Sequence, residues 1–198
     1  MKTVFVDVDT QLDFLYPSGA LYAPGAERIT ATVARLNRHA AAHGIPVIST
    51  TDAHTEDDPE FASWPHHCVA GATGQHKAEG TLLERRVVIP NRECSLAIEG
   101  AQQIVIEKQT VDAFQAPNMQ RVLQKLNADD FVVYGVVTEV CVLWAVRGLL
   151  RLGKHVTLVT DAVQALTPAG SEAAIQEMLE GGVALAPSTA VSANLPRS

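Results

Sequence analysis

The run of seven residues from Phe131 to Val137 constrains the fold most strongly. It reads FVVYGVV, is rich in β-branched side chains, and shows no alternation of apolar and polar positions. Such a run is typical of a strand buried on both faces, as found in parallel sheets covered by helices on both sides. Thr138 and Glu139 then resemble the turn and the first-turn acid of a helix, whose apolar pattern begins at Val142.

A cysteine lies beside the predicted start of this helix. Cys141 follows Glu139 by two residues, so its thiol is expected near backbone N–H groups that have no partner in the first turn. Those groups and the positive end of the helix dipole favour a thiolate. The position therefore predicts an enzyme with a cysteine nucleophile.

Strand and helix patterns alternate along the rest of the chain. The further strand candidates are Thr3–Val8, Pro46–Thr50, Gln103–Glu107, His155–Thr160 and Val183–Ala186. The helix candidates are Glu27–His43, Pro117–Leu126, a segment beginning at Glu139, and Pro168–Leu179. This alternation predicts an α/β fold with three layers, in which a doubly wound sheet has about six mostly parallel strands in the order 3-2-1-4-5-6.

The length of 198 residues predicts a single domain over residues 1–198. The segment at about 51–100 carries no long periodic run, and a structureless insertion of this size usually has a function. Because it follows the second predicted strand directly, we expect it to serve the functional site.

Composition excludes several classes of function. The net charge of −7 and the absence of a basic stripe argue against nucleic acid or an anionic membrane surface as a partner. The longest apolar stretches have the length of strands, and two acids interrupt VFVDVD near the first residue, so we expect neither a membrane helix nor a signal peptide. Three cysteines, an odd number, favour a reducing interior and a cytoplasmic location.

Reactive side chains follow four successive predicted strands. Asp9 follows the first, Asp52 the second, Lys108 the third and Cys141 the fourth. Ligands of open parallel sheets bind outside the carboxyl ends of the strands, at the point where the strand order reverses. We therefore expect these side chains to share one site.

This set predicts hydrolysis of an amide through a thioester. Asp9 is the expected base for the Cys141 thiol, provided that burial raises its pKa. Lys108 is expected to hold both partners in ionised form and to orient them. Backbone N–H groups of the 137–141 turn are expected to face the developing oxyanion, at about 3–4 kcal/mol for each donor.

A second cluster predicts a metal site. Asp52 and His54 point to the same side of an extended segment, because side chains alternate with a period of two. His67, or its neighbour His66, is expected to supply the third ligand. Two histidines and one carboxylate suit zinc, iron or manganese.

The chain resembles the nicotinamidase branch of the isochorismatase-like cysteine hydrolases. The matching motifs, in matching order, are DTQLDF at 9–14, DAH at 52–54, SWPHHC at 63–68, EK at 107–108 and GVVTEVC at 135–141. The resemblance extends from about Val4 to Ala186 and implies a Rossmann-like hydrolase fold. It also implies conversion of nicotinamide and water to nicotinate and ammonia.

The resemblance also implies roles for particular residues. The implied catalytic triad is Asp9, Lys108 and Cys141, and the implied metal ligands are Asp52, His54 and His67. The implied substrate-flanking aromatic residues are Phe14 and Trp64, and the implied oxyanion donors are the N–H groups of Val137 and Cys141, with a cis peptide between Val136 and Val137. One divalent metal is expected, with zinc preferred over iron or manganese, and no organic cofactor. The expected partners are a small-molecule amide and further copies of the chain, in a dimer or a tetramer.

Two departures from the family pattern bear on the substrate. Thr138, Glu139 and Val140 precede the cysteine where nicotinamidases usually have T-D-H. A further histidine ligand is replaced by Glu56, Asp57 and Asp58, one of which, or water, would complete the metal site. The alternatives are therefore the same chemistry on another small amide or carbamoyl compound, and a non-catalytic protein that binds a small molecule.

Overall fold

A single parallel sheet of seven strands forms the centre of the protein. The computed structural model describes residues 2–193. The strands are β1 Thr3–Val8, β2 Val47–Asp52, β3 Arg86–Ile89, β4 Gln103–Lys108, β5 Asp130–Val136, β6 His155–Gln164 and β7 Ala184–Ala186. Their order across the sheet is β3-β4-β2-β1-β5-β6-β7.

Helices cover both faces of the sheet. They are α1 Leu12–Leu15, α2 Thr30–Ala42, α3 Met119–Leu126, α4 Leu143–Arg151, α5 Pro168–Glu180 and α6 Ser188–Ala193. The longest of them, α2 and α5, have 13 residues each. Within residues 2–193, no helix combines the length and the apolar character that a membrane span requires.

The apolar run of β5 is buried on both faces. Phe131 and Val133 pack into the core that contains residues of α3, α4 and α5, whereas Val132 and Tyr134 pack into the core on the opposite face, with α2. Burial of each large apolar side chain contributes about 1.5–3 kcal/mol. A strand covered on both sides therefore needs apolar residues at successive positions, which explains the run in the sequence.

The predicted α/β fold is confirmed, and the predicted order 3-2-1-4-5-6 matches β4-β2-β1-β5-β6-β7. The sheet has one strand beyond the six candidates, because β3 forms within the 51–100 segment and pairs in parallel with β4. This strand has only four residues and lies at the sheet edge, where Val88 is 56% exposed. A short edge strand lacks the continuous apolar run that identifies a central one.

The connection after β5 differs from the predicted direct helix start. A π-helical turn, Thr138–Val142, comes before α4 and contains Cys141. Just before this turn, Gly135 has a φ of +120°, and a Cβ there would lie 2.1 Å from the carbonyl oxygen of Val8. Glycine therefore allows β5 and β1 to approach closely at the end of the sheet where the reactive residues lie.

Candidate active site

Four neighbouring strands deliver the predicted residues to one edge of the sheet. Lys108 is the last residue of β4, and Asp52, its partner in the sheet register, is the last residue of β2. Asp9 follows the end of β1, and Cys141 lies in the turn after β5. Because β4, β2, β1 and β5 are consecutive in the sheet, the four side chains meet.

The ammonium group of Lys108 connects the other members of the cluster. Its Nζ lies 2.9 Å from Asp9 Oδ2 and 3.7 Å from Cys141 Sγ, and it also contacts Asp52 Oδ1. Carboxylate oxygens of Asp9 and Asp52 and the Cys141 sulfur all lie within 4.8 Å of one another. The structure therefore brings together the acid, the lysine and the thiol, of which Lys108 and Cys141 are 33 residues apart in the sequence and Asp9 lies far from both.

Thr50 fixes the position of Asp9. Asp9 has a φ of +46°, in the left-handed region that non-glycine residues seldom adopt. The Thr50 hydroxyl donates to Asp9 Oδ1 at 2.5 Å, and the Asp9 N–H lies 3.2 Å from the Thr50 carbonyl oxygen. These contacts orient the carboxylate at the turn after β1.

Burial and neighbouring charges set the protonation of the triad. Burial on its own raises the pKa of Asp9, but the Lys108 ammonium and the Thr50 hydroxyl outweigh it and hold that pKa below its ordinary 3.8. Burial raises the pKa of the Cys141 thiol well above its usual range, with Lys108 opposing and Asp9 adding to the rise. The resting site therefore holds an ionised carboxylate beside a neutral thiol.

This charge distribution corrects two expectations. The condition placed on Asp9 as the base, a pKa raised by burial, is not met, because Lys108 and Thr50 outweigh burial and leave Asp9 ionised and able to accept a proton. Burial and the neighbouring carboxylates raise the pKa of the Cys141 thiol, which opposes the thiolate expected from its place beside a helix start. Burial raises the pKa of Asp52 to about 7, with Lys108 opposing and Asp9 adding to the rise.

The predicted metal ligands form a compact buried group. Oδ2 of Asp52 lies 3.9 Å from Nε2 of His54 and 3.8 Å from Nε2 of His67. His54 Nε2 is buried and has no hydrogen-bond partner among the described residues. His67 Nδ1 lies 2.7 Å from the carbonyl oxygen of Pro65, which leaves its Nε2 directed toward the group.

These donors fit a divalent cation. Three ligand atoms within 4.8 Å of one another, two of them imidazole nitrogens and one a carboxylate oxygen, suit zinc, iron or manganese. The buried Nε2 of His54 has an unused coordinating position, which a cation would satisfy. We therefore find that the residues present fit the expected metal.

Of the three consecutive acids Glu56, Asp57 and Asp58, only Asp58 lies against the metal cluster. Its Oδ2 lies 3.0 Å from His54 Nδ1, whereas Glu56 and Asp57 are exposed. A carboxylate on the outer nitrogen of a ligating histidine orients the ring and raises its basicity. Asp58 therefore contacts the nitrogen of His54 that is not the candidate ligand atom, and we expect it to orient the ring rather than to bind the metal itself.

The two adjacent histidines have different surroundings. His67 is buried and lies in the metal cluster, with its ring 4.8 Å from that of His54. His66 is exposed and stacks on Phe61 at 4.2 Å. This arrangement favours His67 over His66 as the third ligand.

A small pocket opens onto both clusters. It is lined by Phe14, Leu21, Asp52, Glu60, Trp64, His67, Val111, Val137, Val140, Cys141 and Leu166. Both aromatic residues expected to flank the substrate are in its wall, together with the nucleophile and two candidate metal ligands. The peptide bond between Val136 and Val137 is cis, and Val137 and Cys141, the expected oxyanion donors, line the same pocket.

Two contributions to this site were not identified from the sequence. Gln11 Oε1 accepts from the Asp52 N–H at 2.7 Å, and its Nε2 donates to the Asp52 carbonyl oxygen at 2.8 Å, so that Gln11 fixes the backbone of Asp52. Glu60 lines the pocket, and its pKa is raised by burial. The DTQ motif contains the signal for Gln11, but nothing local to Glu60 distinguishes it from the neighbouring acids.

Comparison with known proteins gives consistent matches over almost the entire chain. The family profile described as the Isochorismatase domain matches residues 3–190. The nicotinamidase of Escherichia coli (strain K12) is 26% identical over 205 residues, covering 90% of this chain and 91% of that protein. A probable inactive nicotinamidase of Arabidopsis thaliana is 26% identical over 183 residues, covering 92% of this chain and 90% of that protein.

A solved structure shows the same architecture. The pyrazinamidase of Pyrococcus horikoshii, determined in complex with zinc, superimposes with a TM-score of 0.81 at 25% sequence identity. The match covers 94% of this chain and 99% of that one. The sheet and its covering helices are therefore shared over the full length of that protein.

Proposed function

This chain belongs to the isochorismatase domain family, and from that premise we propose that it is a metal-containing cysteine amidohydrolase that converts nicotinamide to nicotinate and ammonia. The family and the amidase relatives identify the reaction class as hydrolysis of a carbon–nitrogen bond. The substrate, the thioester and the metal are our proposals.

One observation supports this proposal above the others. A single small pocket presents the Cys141 sulfur, two of the three candidate metal ligands and the aromatic rings of Phe14 and Trp64. Nicotinamide has a flat ring, an amide and a ring nitrogen with a lone pair. The pocket therefore offers a complement to each part of that molecule: aromatic walls, a nucleophile and a metal site.

Acylation begins with the neutral thiol and the ionised carboxylate. Asp9 accepts the proton of Cys141 as the sulfur attacks the amide carbon, and then donates it to the departing ammonia. Lys108, 3.7 Å from the sulfur and 2.9 Å from Asp9, stabilises negative charge as it moves between them. The product of this half-reaction is a thioester of nicotinate on Cys141.

Deacylation uses the same groups in reverse. Water attacks the thioester carbon while Asp9 accepts a proton from it, and Asp9 then returns this proton to the departing Cys141 thiolate as nicotinate is released. In both half-reactions the N–H groups of Val137 and Cys141 are the proposed donors to the oxyanion, at about 3–4 kcal/mol for each donor.

Asp52, His54 and His67 are the proposed residues that hold the metal. When bound, a divalent cation supplies a Lewis-acidic position for the ring nitrogen of the substrate. Asp52 belongs to both clusters, because one of its oxygens contacts Lys108 while the other faces the histidines. Gln11 fixes the backbone of Asp52 and thereby holds the two clusters in a constant position relative to each other.

Ammonia release from a panel of amides tests the proposed substrate. We expect zinc-loaded protein to hydrolyse nicotinamide at least tenfold faster than benzamide, which has the same ring size but no ring nitrogen. Turnover of a carbamoyl compound without turnover of nicotinamide would replace the substrate and retain the chemistry. Absence of hydrolysis with every amide would instead favour a non-catalytic binding protein. The presence of all three triad residues, Asp9, Lys108 and Cys141, argues against that alternative.

Two substitutions test the metal site. Asp52→Ala and His54→Ala are each expected to lower the zinc content of purified protein and to raise the KM for nicotinamide. Metal content is measured by elemental analysis, with His66→Ala as the matched control because its ring is exposed and lies outside the cluster. Full zinc content in both variants would show that the cluster is not the metal site.

The remaining expectations are part of the same proposal. We propose a single domain over residues 1–198, self-association as a dimer or tetramer, and a cytoplasmic location. Three free cysteines are consistent with a reducing compartment. Size-exclusion chromatography with light scattering tests the oligomeric state.

A further inference from the structure

The carboxylate of Glu139 connects the nucleophile turn to the segment that leads into α5. Its Oε1 accepts hydrogen bonds from the N–H groups of Leu166 and Thr167, each at 3.0 Å. Glu139 lies two residues before Cys141, whereas Leu166 lies on the wall of the same pocket. One oxygen atom thus connects the turn that carries the nucleophile to a wall of the substrate pocket.

The start of α5 is suited to this carboxylate. The first turn of α5 contains no acidic residue of its own, so Glu139 supplies the negative charge that a helix N-terminus favours. Gly170 in that turn makes room for it, because a Cβ at this position would lie 2.6 Å from Glu139 Oε1. A side chain at position 170 would therefore displace the carboxylate from its present position.

The second carboxylate oxygen has no role in the connection. Glu139 Oε2 is buried and has no hydrogen-bond partner among residues 2–193. Both hydrogen bonds go to Oε1, and an amide carbonyl oxygen accepts hydrogen bonds equally. Glutamine can therefore replace the contact in part, whereas alanine removes it.

We infer that Glu139 is a positioning residue that sets the width of the acyl pocket by holding Leu166 against the nucleophile turn. Its neighbour Val140 and Cys141 itself lie on the wall of the pocket, so the connection fixes the distance between these residues and Leu166. Loss of the contact frees Leu166 and weakens the binding of a flat ring, while the triad keeps its own contacts. The choice of nicotinamide as the ring rests on the proposed function.

Steady-state kinetics separates this role from a role in the chemical step. In Glu139→Ala the KM for nicotinamide is expected to rise about tenfold while kcat falls less than threefold, because the pocket wall that Leu166 forms supports the substrate equally in the ground state and the transition state. The preference for nicotinamide over 5-methylnicotinamide is expected to fall about fivefold, since one methyl group is discriminated by pocket fit. In Glu139→Gln the rise in KM is expected to be threefold at most.

A control on the same helix accounts for the change in charge. Glu172 is an exposed residue of α5, and Glu172→Ala removes the same charge without the contact. Equal kinetics in the two alanine variants would overturn the proposal. So would a fall in kcat with constant KM in Glu139→Ala, or equal effects of alanine and glutamine at position 139.

Hydrogen exchange tests the contact without any substrate. The amides of Leu166 and Thr167 are expected to exchange at least tenfold faster in Glu139→Ala than in wild type, and at intermediate rates in Glu139→Gln. Exchange equal to wild type in Glu139→Ala would overturn the positioning role. Failure of wild type to hydrolyse nicotinamide, with exchange as expected, would overturn the proposed substrate and leave the positioning of Leu166 in place.

Discussion

Two lysine side chains of this protein are almost fully buried, and they differ in what surrounds them. Lys108 is 1% exposed and lies against Asp9 and Asp52, while Lys77 is 2% exposed and lies 3.2 Å from Asp7. A buried cation paired with a carboxylate is therefore present twice. Only one of the two pairs lies beside a nucleophile.

The Lys77 pair belongs to a network whose polar groups have fixed partners. Lys77 also donates to the Thr10 hydroxyl at 2.8 Å. Oxygens of Asp7 accept from the side chains of Thr10, Asn37 and Ser49. The Lys108 cluster, in contrast, includes a thiol and opens onto the pocket beside the buried Nε2 of His54, which has no hydrogen-bond partner among the described residues. Both clusters contain a buried ion pair, so the ion pair does not distinguish the functional one. The functional cluster is distinguished by a thiol and an imidazole nitrogen without a hydrogen-bond partner among the described residues, next to a pocket.

Removal of the nucleophile gives the largest expected effect. Cys141→Ala is expected to lower nicotinamide hydrolysis by about 10⁴-fold or more, because no other group forms the covalent intermediate. Ammonia release measures it, and circular dichroism confirms that the variant folds. Substitution of the half-buried Cys94 by alanine is the matched control, and comparable loss in both variants would remove the assignment of Cys141.

Substitution of Lys77 tests whether the second buried ion pair, Lys77 with Asp7, contributes to stability rather than to activity. Lys77→Met leaves Asp7 buried without its cation and is expected to lower the free energy of unfolding by about 3–5 kcal/mol. Urea denaturation measures this change, with exposed Lys125→Met, expected to cost less than about 1 kcal/mol, as the control. At temperatures where the variant is folded, kcat is expected to stay within about threefold of wild type. A selective loss of activity without loss of stability would show that this network is functional as well.

Substitution of Asp58 is expected to have a smaller effect, confined to the metal cluster of Asp52, His54 and His67. Asp58→Asn keeps the shape of the side chain but weakens the contact with His54 Nδ1, so the affinity for zinc is expected to fall about 10- to 100-fold. Competition with a chromophoric chelator measures the dissociation constant. Asp57→Asn, at an exposed neighbouring acid, is expected to change it less than about twofold.

The last expected effect, on stability alone, lies at the edge of the network that surrounds Lys77 and Asp7. The Tyr134 hydroxyl donates to Asn37 Oδ1 at 2.6 Å, and Tyr134→Phe leaves that oxygen without this donor. The free energy of unfolding is expected to fall by about 1–3 kcal/mol. Urea denaturation gives the value, and a change in the KM for nicotinamide in this variant would contradict the separation of the two networks.

The sequence predicted the fold and the candidate site to different depths. The β-branched runs identified six of the seven strands, and the position of Asp9, Lys108 and Cys141 after strand ends predicted their meeting. The edge strand β3 was missed because its four residues are partly exposed. The sequence marks Glu139 as a first-turn acid and as a departure from the family pattern, but it does not indicate its partners, which lie 27 and 28 residues away along the chain.

The sequence by itself determined the features that depend on local pattern and on strand order. Runs of apolar residues specify buried parallel strands. The carboxyl ends of parallel strands lie at one edge of the sheet, irrespective of the conformation of the loops between them. The tertiary structure alone decided which groups touch and with what charge. Lys108 contacts Asp52, 56 residues away in the sequence, and Thr50 contacts Asp9, 41 residues away. Lys108 and Thr50 lower the pKa of Asp9 by more than burial raises it. Burial raises the pKa of the Cys141 thiol and keeps it neutral. Such balances depend on distances between segments and on exclusion of water, and neither quantity is encoded in any one stretch of the chain.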